Sequence, residues 1–327
     1  MEEIIFSIII PCYNLEGYIH NTINSVLKQI FQNFEIILID DGSKDNTSKI
    51  ITEYSKKDSR IKVICKANEG VSKTRNIGVK EARGKYIYFL DGDDTIEEKL
   101  LMKAIEVFKN NDIGIWSFGY RKILNKRKEI KYNSEIYNRK IFLSQEFLRF
   151  FLNKEIPQCM CSFIIKKELI KNLKFDETLK LGEDLYYQIN ILLINNIFIY
   201  YSSDIFFNYL FRKDSTVNKK VEVSIFDIFD KLNLLNNTMK NKKLELEFNF
   251  FKNSMYIYSL KQLGIKGYDN SCEINKKIKK IRNFILENKT ISNGKNRKKL
   301  LTFMILNRID YKIVIYIFKI LKNLRIL

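Results

Sequence analysis

Short apolar runs recur through the first part of the chain: "IIFSIII" (4–10), "FEIILI" (34–39), "IKVIC" (61–65), "YIYFL" (86–90) and "IGIWSF" (113–118). Their length and weak alternation predict strands buried on both faces. Between them Ile19, Ile23, Val26, Leu27 and Ile30 fall at helical spacing, and Ile50, Ile51 and Tyr54 repeat the pattern. Strand, helix, strand in that order predicts right-handed crossovers and a Rossmann-like, mostly parallel α/β sheet flanked by helices. Further on, 144–152 and 183–194 read as helices, and "IFIYY" (197–201) and "IFFNYL" (205–210) as two strands. From Val221 onward helical spacing continues without a turn-rich gap, which predicts a helical C-terminal region.

In such a sheet the binding crevice lies at the carboxyl ends of the strands. The predicted strands end at "PCYN" (11–14), "DDGS" (40–43), "KANEG" (66–70) and "DGDD" (91–94), so four polar clusters converge on one edge. In the last, Asp91 and Asp93 flank Gly92, and two carboxylates there suit a hard divalent cation that keeps several water ligands. Alternatively Asp93, Asp94 or Thr95 caps a helix over "IEEKLLMKAIEVF" (96–108). Asp40 and Asp41 end the second strand, where one carboxylate can accept hydrogen bonds from a base or ribose; Ser43 and Asp45 read as helix caps. Tyr13 offers a face for stacking or for packing. Lys73 and Arg75 are either diphosphate ligands or a solvated helix face. Glu183 and Asp184 open a helix, where capping is the plain reading. At most one of two adjacent helical residues is expected to face a given cleft. Arg212, Lys213 and Ser215 read equally as a second phosphate clamp or a solvent loop.

Composition narrows the class. With 46% hydrophobic residues, 2 Pro and 12 Gly in 327 residues, folded structure is expected throughout. The net charge of +19 is uneven: from Lys219 onward there are 24 Lys/Arg against 9 Asp/Glu. That balance fits an anionic partner, nucleic acid or membrane surface. Five scattered cysteines and a single histidine, His20, suggest a reduced intracellular protein without a Cys/His zinc site. The first apolar run lacks signal-peptide features and is too short to span a bilayer.

Taken in order and spacing, "SIIIPCYN", "EIILIDDGSKDNT", "NEGVSKTRNIG" and "GKYIYFLDGDD" resemble the nucleotide-sugar-binding half of the family 2 inverting glycosyltransferases with the GT-A fold. The resemblance is dense over 4–98 and thins to "GEDLYYQ" and "FRKDST". It implies a GT-A catalytic domain over 1–220, with a nucleotide-sugar half (1–98) and an acceptor half (99–220), followed by a basic helical region (221–327). It implies transfer of a hexosyl or N-acetylhexosaminyl group, from a UDP-linked donor, to a glycan or lipid-linked glycan of the cell surface. Carried over by position, Tyr13 packs on the base, Asp41 hydrogen-bonds it and Arg75 helps hold the nucleotide; Pro11, Asn68, Glu183 and Arg212 complete the substrate-binding set. Asp91 and Asp93 match the family's DxD, with Asp93 the main ligand of Mn²⁺ or Mg²⁺. Asp184 matches the catalytic base. Thr74 replaces a usual Ala, Gly92 a frequent Ser, and "DST" (214–216) a more typical "GSI", which weakens the case for Arg212. No QxxRW-like motif or multi-span region points to a membrane-embedded synthase.

Two other classes compete. A nucleotidyltransferase would carry a GxGxR-like loop after strand one, and "PCYNLEG" is not that. A nucleic-acid-binding protein would use the basic region, yet few aromatics interleave its cations, so no nucleic-acid partner is expected. Within 300–327, Lys312, Lys319, Lys322 and Arg325 fall within about 140° of a helical wheel. This face would bind an anionic leaflet from the cytoplasmic side; core packing or a homodimer contact is the alternative.

Overall fold

The computed structural model describes residues 4–125, 128–211, 222–266, 272–287 and 310–323. Strands β1 (Phe6–Cys12), β2 (Phe34–Asp40) and β4 (Tyr86–Phe89) are buried along almost their whole length, as their nearly continuous apolar runs require. With β3 (Ile61–Cys65) they form a parallel block ordered β3-β2-β1-β4. Helices α1 (Ile19–Leu27), α2 (Thr47–Lys57) and α3 (Val71–Glu81) make the crossovers. The parallel run brings the ends of β1, β2, β3 and β4 to one edge, as the sequence predicts.

The rest of the sheet is less regular. It uses β5 (Thr95–Ile96), β6 (Ile115–Asn125), β7 (Lys128–Tyr132), β8 (Lys140–Leu143), β9 (Phe163–Lys166) and β10 (Phe198–Leu210). Helices α4 (Leu100–Asn110), α5 (Ser144–Leu152), α6 (Lys167–Ile170) and α7 (Glu183–Leu192) intervene. β9 runs antiparallel between β4 and β6, while β6 and β10 are parallel. The sheet is thus mostly parallel at its centre with antiparallel insertions. Two expectations change. The strands expected at 197–201 and 205–210 are one strand, β10, whose polar middle Ser202–Asp204 falls at a bulge against β6. The helix expected from residue 96 starts at Leu100, because Thr95 and Ile96 pair with Asn208 and Phe207 instead.

The chain divides into two compact units, and everything above through Leu210 lies in Met1–Leu148, Ile156–Thr178 and Glu183–Arg212 apart from the end of α5. The second unit comprises Arg149–Glu155, Leu179–Gly182 and Lys213–Leu327. Beyond residue 222 its described part is mainly helical: α8 (Asp227–Leu234), α9 (Asn236–Asn241), α10 (Glu245–Lys266), α11 (Cys272–Glu287) and α12 (Tyr311–Asn323). Tyr311, Val314 and Ile315 of α12 are buried, and Gly264 of α10 admits the Ile315 carbonyl so closely that an added Cβ would stand 2.6 Å from it. Packing therefore claims one stripe of α12. Lys312, Ile313, Tyr316 and Lys319 stay exposed. No helix among the described residues is long and apolar enough to cross a membrane.

Candidate active site

The first three loop clusters are laced together by side chains. Asn14, with φ 52°, accepts from Lys44 N–H through Oδ1 at 2.8 Å, and its own N–H reaches Ser43 Oγ at 3.0 Å. Ser43 in turn donates to Asp40, so it ties loops rather than capping α2; Asp45 Oδ1 accepts the Thr47 N–H that opens that helix. Asp41 is buried, and its carboxylate accepts the N–H groups of Glu69 and Gly70 at 2.9 Å each, besides pairing with Lys66. Asn68 Nδ2 donates to Asp41 O at 2.9 Å. Asp41 and Asn68 thus shape the loop that opens α3. Tyr13 is 44% exposed, clear of the core, and Pro11 stays in register with Ile39 at the end of β1.

The fourth cluster is pressed against β1. A Cβ at Gly92 would meet Pro11 O at 2.9 Å and Leu15 Cδ1 at 2.6 Å, which explains glycine where serine is frequent. Thr22 Oγ1 of α1 donates to Gly92 O at 2.9 Å and pins the turn. Asp94 caps no helix. It is fully buried, and Oδ1 accepts the Leu210 N–H of β10 at 2.7 Å. Burial, then the charges of Asp91 and Asp93, push its carboxyl up to about 10, so it is neutral at pH 7.

Arg75 is the centre of the site. Its side chain is 5% exposed; Nη2 donates to Asp91 Oδ1 and Nη1 to Glu183 Oε1, both at 2.9 Å. Its guanidinium also lies 5.3 Å over the Phe175 ring. The solvated-face alternative fails for Arg75; it describes Lys73, which pairs with Glu69 at the surface. Burial opposes the guanidinium charge, but Asp91, Glu183 and Asp184 more than offset that and hold it. Glu183 is pushed up to about 7 by burial and by Asp184, against the pull of Arg75. Burial likewise raises Asp184, whose Oδ1 accepts the Leu185 N–H at 2.7 Å. The adjacent positions on α7 therefore divide the work: Glu183 binds the arginine, and Asp184 stands beside it.

Asp91, Glu183 and Asp184 surround the buried Arg75 guanidinium, and Asp93 and Asp94 follow Asp91 on the same turn. Even with Asp94 neutral, negative charge remains in excess, and Asp91 is 41% exposed despite its bond to Arg75. Oxygen donors of this kind fit a hard divalent cation. Among the described residues, no group of three or more His, Cys, Asp or Glu could hold a metal unaided. Such an ion would have to draw most of its ligands from water and a bound diphosphate. Sequence reasoning missed the antiparallel β9 and the turn before it, which carries Cys159 and Cys161; a hydrogen bond with Cys159, then burial, push the Cys161 thiol well up. Arg212 lies outside the described residues.

Acidic loops gathered around one arginine lie at the carboxyl edge of the sheet, the place where open α/β sheets bind their ligands. Residues 7–173 match the family model Glycosyl transferase family 2, and the chain belongs to that family. It is 35% identical over 182 residues to the uncharacterized glycosyltransferase EpsJ of Bacillus subtilis strain 168, covering 54% of this chain and 53% of that one. It is also 35% identical over 184 residues to the minor teichoic acid biosynthesis protein GgaB of the same organism, covering 55% of this chain and 20% of GgaB. The chain thus spans about half, or less, of the length of these curated relatives. Its fold is similar to S. aureus TarS 1–349, with TM-score 0.63 and 22% identity over 86% of this chain and 90% of that one. TarS 1–349 in complex with UDP-GlcNAc superposes with TM-score 0.66, covering 86% of this chain and 81% of that one.

Proposed function

We propose that this glycosyltransferase moves a hexosyl or N-acetylhexosaminyl group from a UDP-linked donor to a hydroxyl of a cell-surface or lipid-linked glycan, with a divalent metal and with inversion. The observation that carries the reading is the excess of carboxylates around Arg75 at the carboxyl edge of the sheet. The UDP-GlcNAc complex of TarS supports the choice of donor, and the teichoic acid role of GgaB supports the acceptor class.

In this reading 1–220 is the catalytic domain and 221–327 an accessory helical region. Tyr13 stacks on the base and Asp41, whose carboxylate also holds the Glu69 and Gly70 N–H groups, hydrogen-bonds it, with Pro11 and Asn68 beside them. Arg75 aims Asp91, and Glu183 locks Arg75 from the opposite side. Asp93, with Asp91, would hold Mn²⁺ or Mg²⁺, which when bound offsets the negative charge of the departing diphosphate. Asp184 takes the proton from the acceptor hydroxyl. Its raised pKa brings it closer to working pH, and no arginine bond of the kind Glu183 makes ties it down. Attack from the face opposite the leaving group inverts the anomeric centre. The exposed lysines Lys312 and Lys319, beside Ile313 and Tyr316, support contact of 300–327 with an anionic inner leaflet.

Thermal stabilisation by a panel of nucleotide sugars, with and without Mn²⁺, tests the reading. A UDP-sugar is expected to stabilise the wild type only with metal, and Asp93→Ala to lose that response. Unchanged affinity with and without Mn²⁺ in both proteins would sink the metal assignment.

A further inference from the structure

The sheet face at the outer ends of β6 and β10 carries chemistry that the donor-side cluster leaves unused. Lys122 of β6 lies opposite Tyr209 of β10, and the Phe211 N–H continues the ladder to Ile123 O at 2.9 Å. Tyr209 and Phe211, two apart in extended chain, share a face. Lys122 Nζ stands 4.6 Å from the Phe211 ring centroid and 5.4 Å from that of Tyr209. On the same strand, Tyr120 stacks on Tyr132 of β7 with centroids 4.7 Å apart and planes 9° from parallel. Phe211 is 37% and Tyr132 38% exposed, and Lys122 and Tyr209 are half-buried, so this aromatic floor meets solvent.

The floor is anchored to the DGDD turn. Leu210, between Tyr209 and Phe211, gives its N–H to Asp94 Oδ1 at 2.7 Å. The proximity also registers on the Tyr209 phenol, which burial, then Asp94, Asp93 and Asp91, push up to about 12. A molecule lying on these rings would therefore sit beside the carboxylates proposed to handle the donor.

We infer that Tyr209, Phe211 and Lys122 form a subsite for a pyranose ring of the acceptor. The ring faces carry negative charge density, which attracts the weakly positive C–H bonds on one side of a sugar. The Lys122 ammonium, flanked by those rings, has three donors and no acceptor capacity, and it meets the hydroxyls at the sugar's rim. This inference rests on the glycosyltransferase reading, because only a sugar acceptor needs such a floor beside the acidic turn.

Saturation-transfer NMR and titration on the full chain test it, with methyl glucosides, galactosides and N-acetylglucosaminides as probes and UDP with Mn²⁺ as a separate titrant. At least one glycoside is expected to bind the wild type through its C–H face. Phe211→Ala and, independently, Lys122→Met are expected to weaken that glycoside about tenfold while changing UDP affinity less than about twofold. Glycoside affinity equal to that of the wild type in both variants, or a loss of UDP affinity as large as that of the glycoside, overturns the subsite. A wild type that binds UDP but no glycoside overturns it as well. A wild type that does not bind UDP with Mn²⁺ refutes the donor reading, and the acceptor subsite falls with it.

Discussion

Replacing Arg75 with methionine removes the one buried cation of the site while keeping a side chain of similar length. Glu183 is left 12% exposed without its partner, whereas Asp91, 41% exposed, is largely compensated by water. Breaking a buried ion pair from one side costs about 3–5 kcal/mol when the remaining charge cannot escape. Here it can escape by taking a proton, so the cost depends on pH. The folded-state pKa of Glu183 is already raised from 4.5 to about 7, above its unfolded value, so its contribution to stability is lost as pH rises through that window in the wild type. Without Arg75 the folded value rises further, and the variant keeps losing stability above pH 7 where the wild type has levelled off. Asp184, also relieved of the Arg75 charge, acts in the same direction. We expect a deficit of about 1 kcal/mol near pH 5.5, the scale of the lost Phe175 contact, widening to about 3 kcal/mol near pH 8.5. Trp116 is the chain's one tryptophan and is fully buried on β6, so its fluorescence in urea reports the unit that holds the site. An equal deficit at both pH values, or a larger one near pH 5.5, would refute the reasoning.

Three further outcomes are expected. Asp184→Asn should lower turnover by roughly 10² to 10⁴ with nucleotide-sugar affinity kept, as loss of a general base does; near-normal turnover would shift the role to Glu183. Gly78→Ala should cost about 1–3 kcal/mol by the same tryptophan assay, because an added Cβ collides with Ile9 Cγ2 where α3 lies on β1; an unchanged urea midpoint would contradict that packing. Lys252, buried on α10 and bonded to Asn236 Oδ1 at 2.7 Å, is pushed down by burial to about 7, below its unfolded value of about 10.4. The unfolded chain then holds more protons between those values, so melting of the helical unit by circular dichroism should rise in temperature from about pH 7 to pH 9. Lys252→Met should abolish that rise, and an unchanged slope would rule the lysine out as its source.

The parallel block was legible because strands buried on both faces must be apolar at nearly every position, and β1, β2 and β4 are, with the buried Ser7 and Glu35 bonded to each other at 2.6 Å. The later strands were not. β5 is two residues long, β8 alternates only briefly, and β9 offers only three apolar residues before Lys166, which a buried helix would equally supply. The convergence of four loops followed from topology, whereas the pairings inside them did not. Arg75 finds its carboxylates 16 and 108 residues away, a separation at which no local pattern links them. For the same reason Asp94, adjacent to a helix-like stretch, read as a cap although its partner is Leu210 on a distant strand.

That Asp94–Leu210 bond has a thermodynamic corollary. It is a direct polar link between the acidic turn and the end of β10, made by a neutral carboxyl group. If a sugar on Tyr209 and Phe211 steadies Leu210, it steadies the turn that Asp94 belongs to, and whatever factor it adds to donor affinity the donor must return to it. The two substrates would then reinforce each other's binding without sharing a contact. Severing the bond, as in Asp94→Ala, would leave two sites that fill independently.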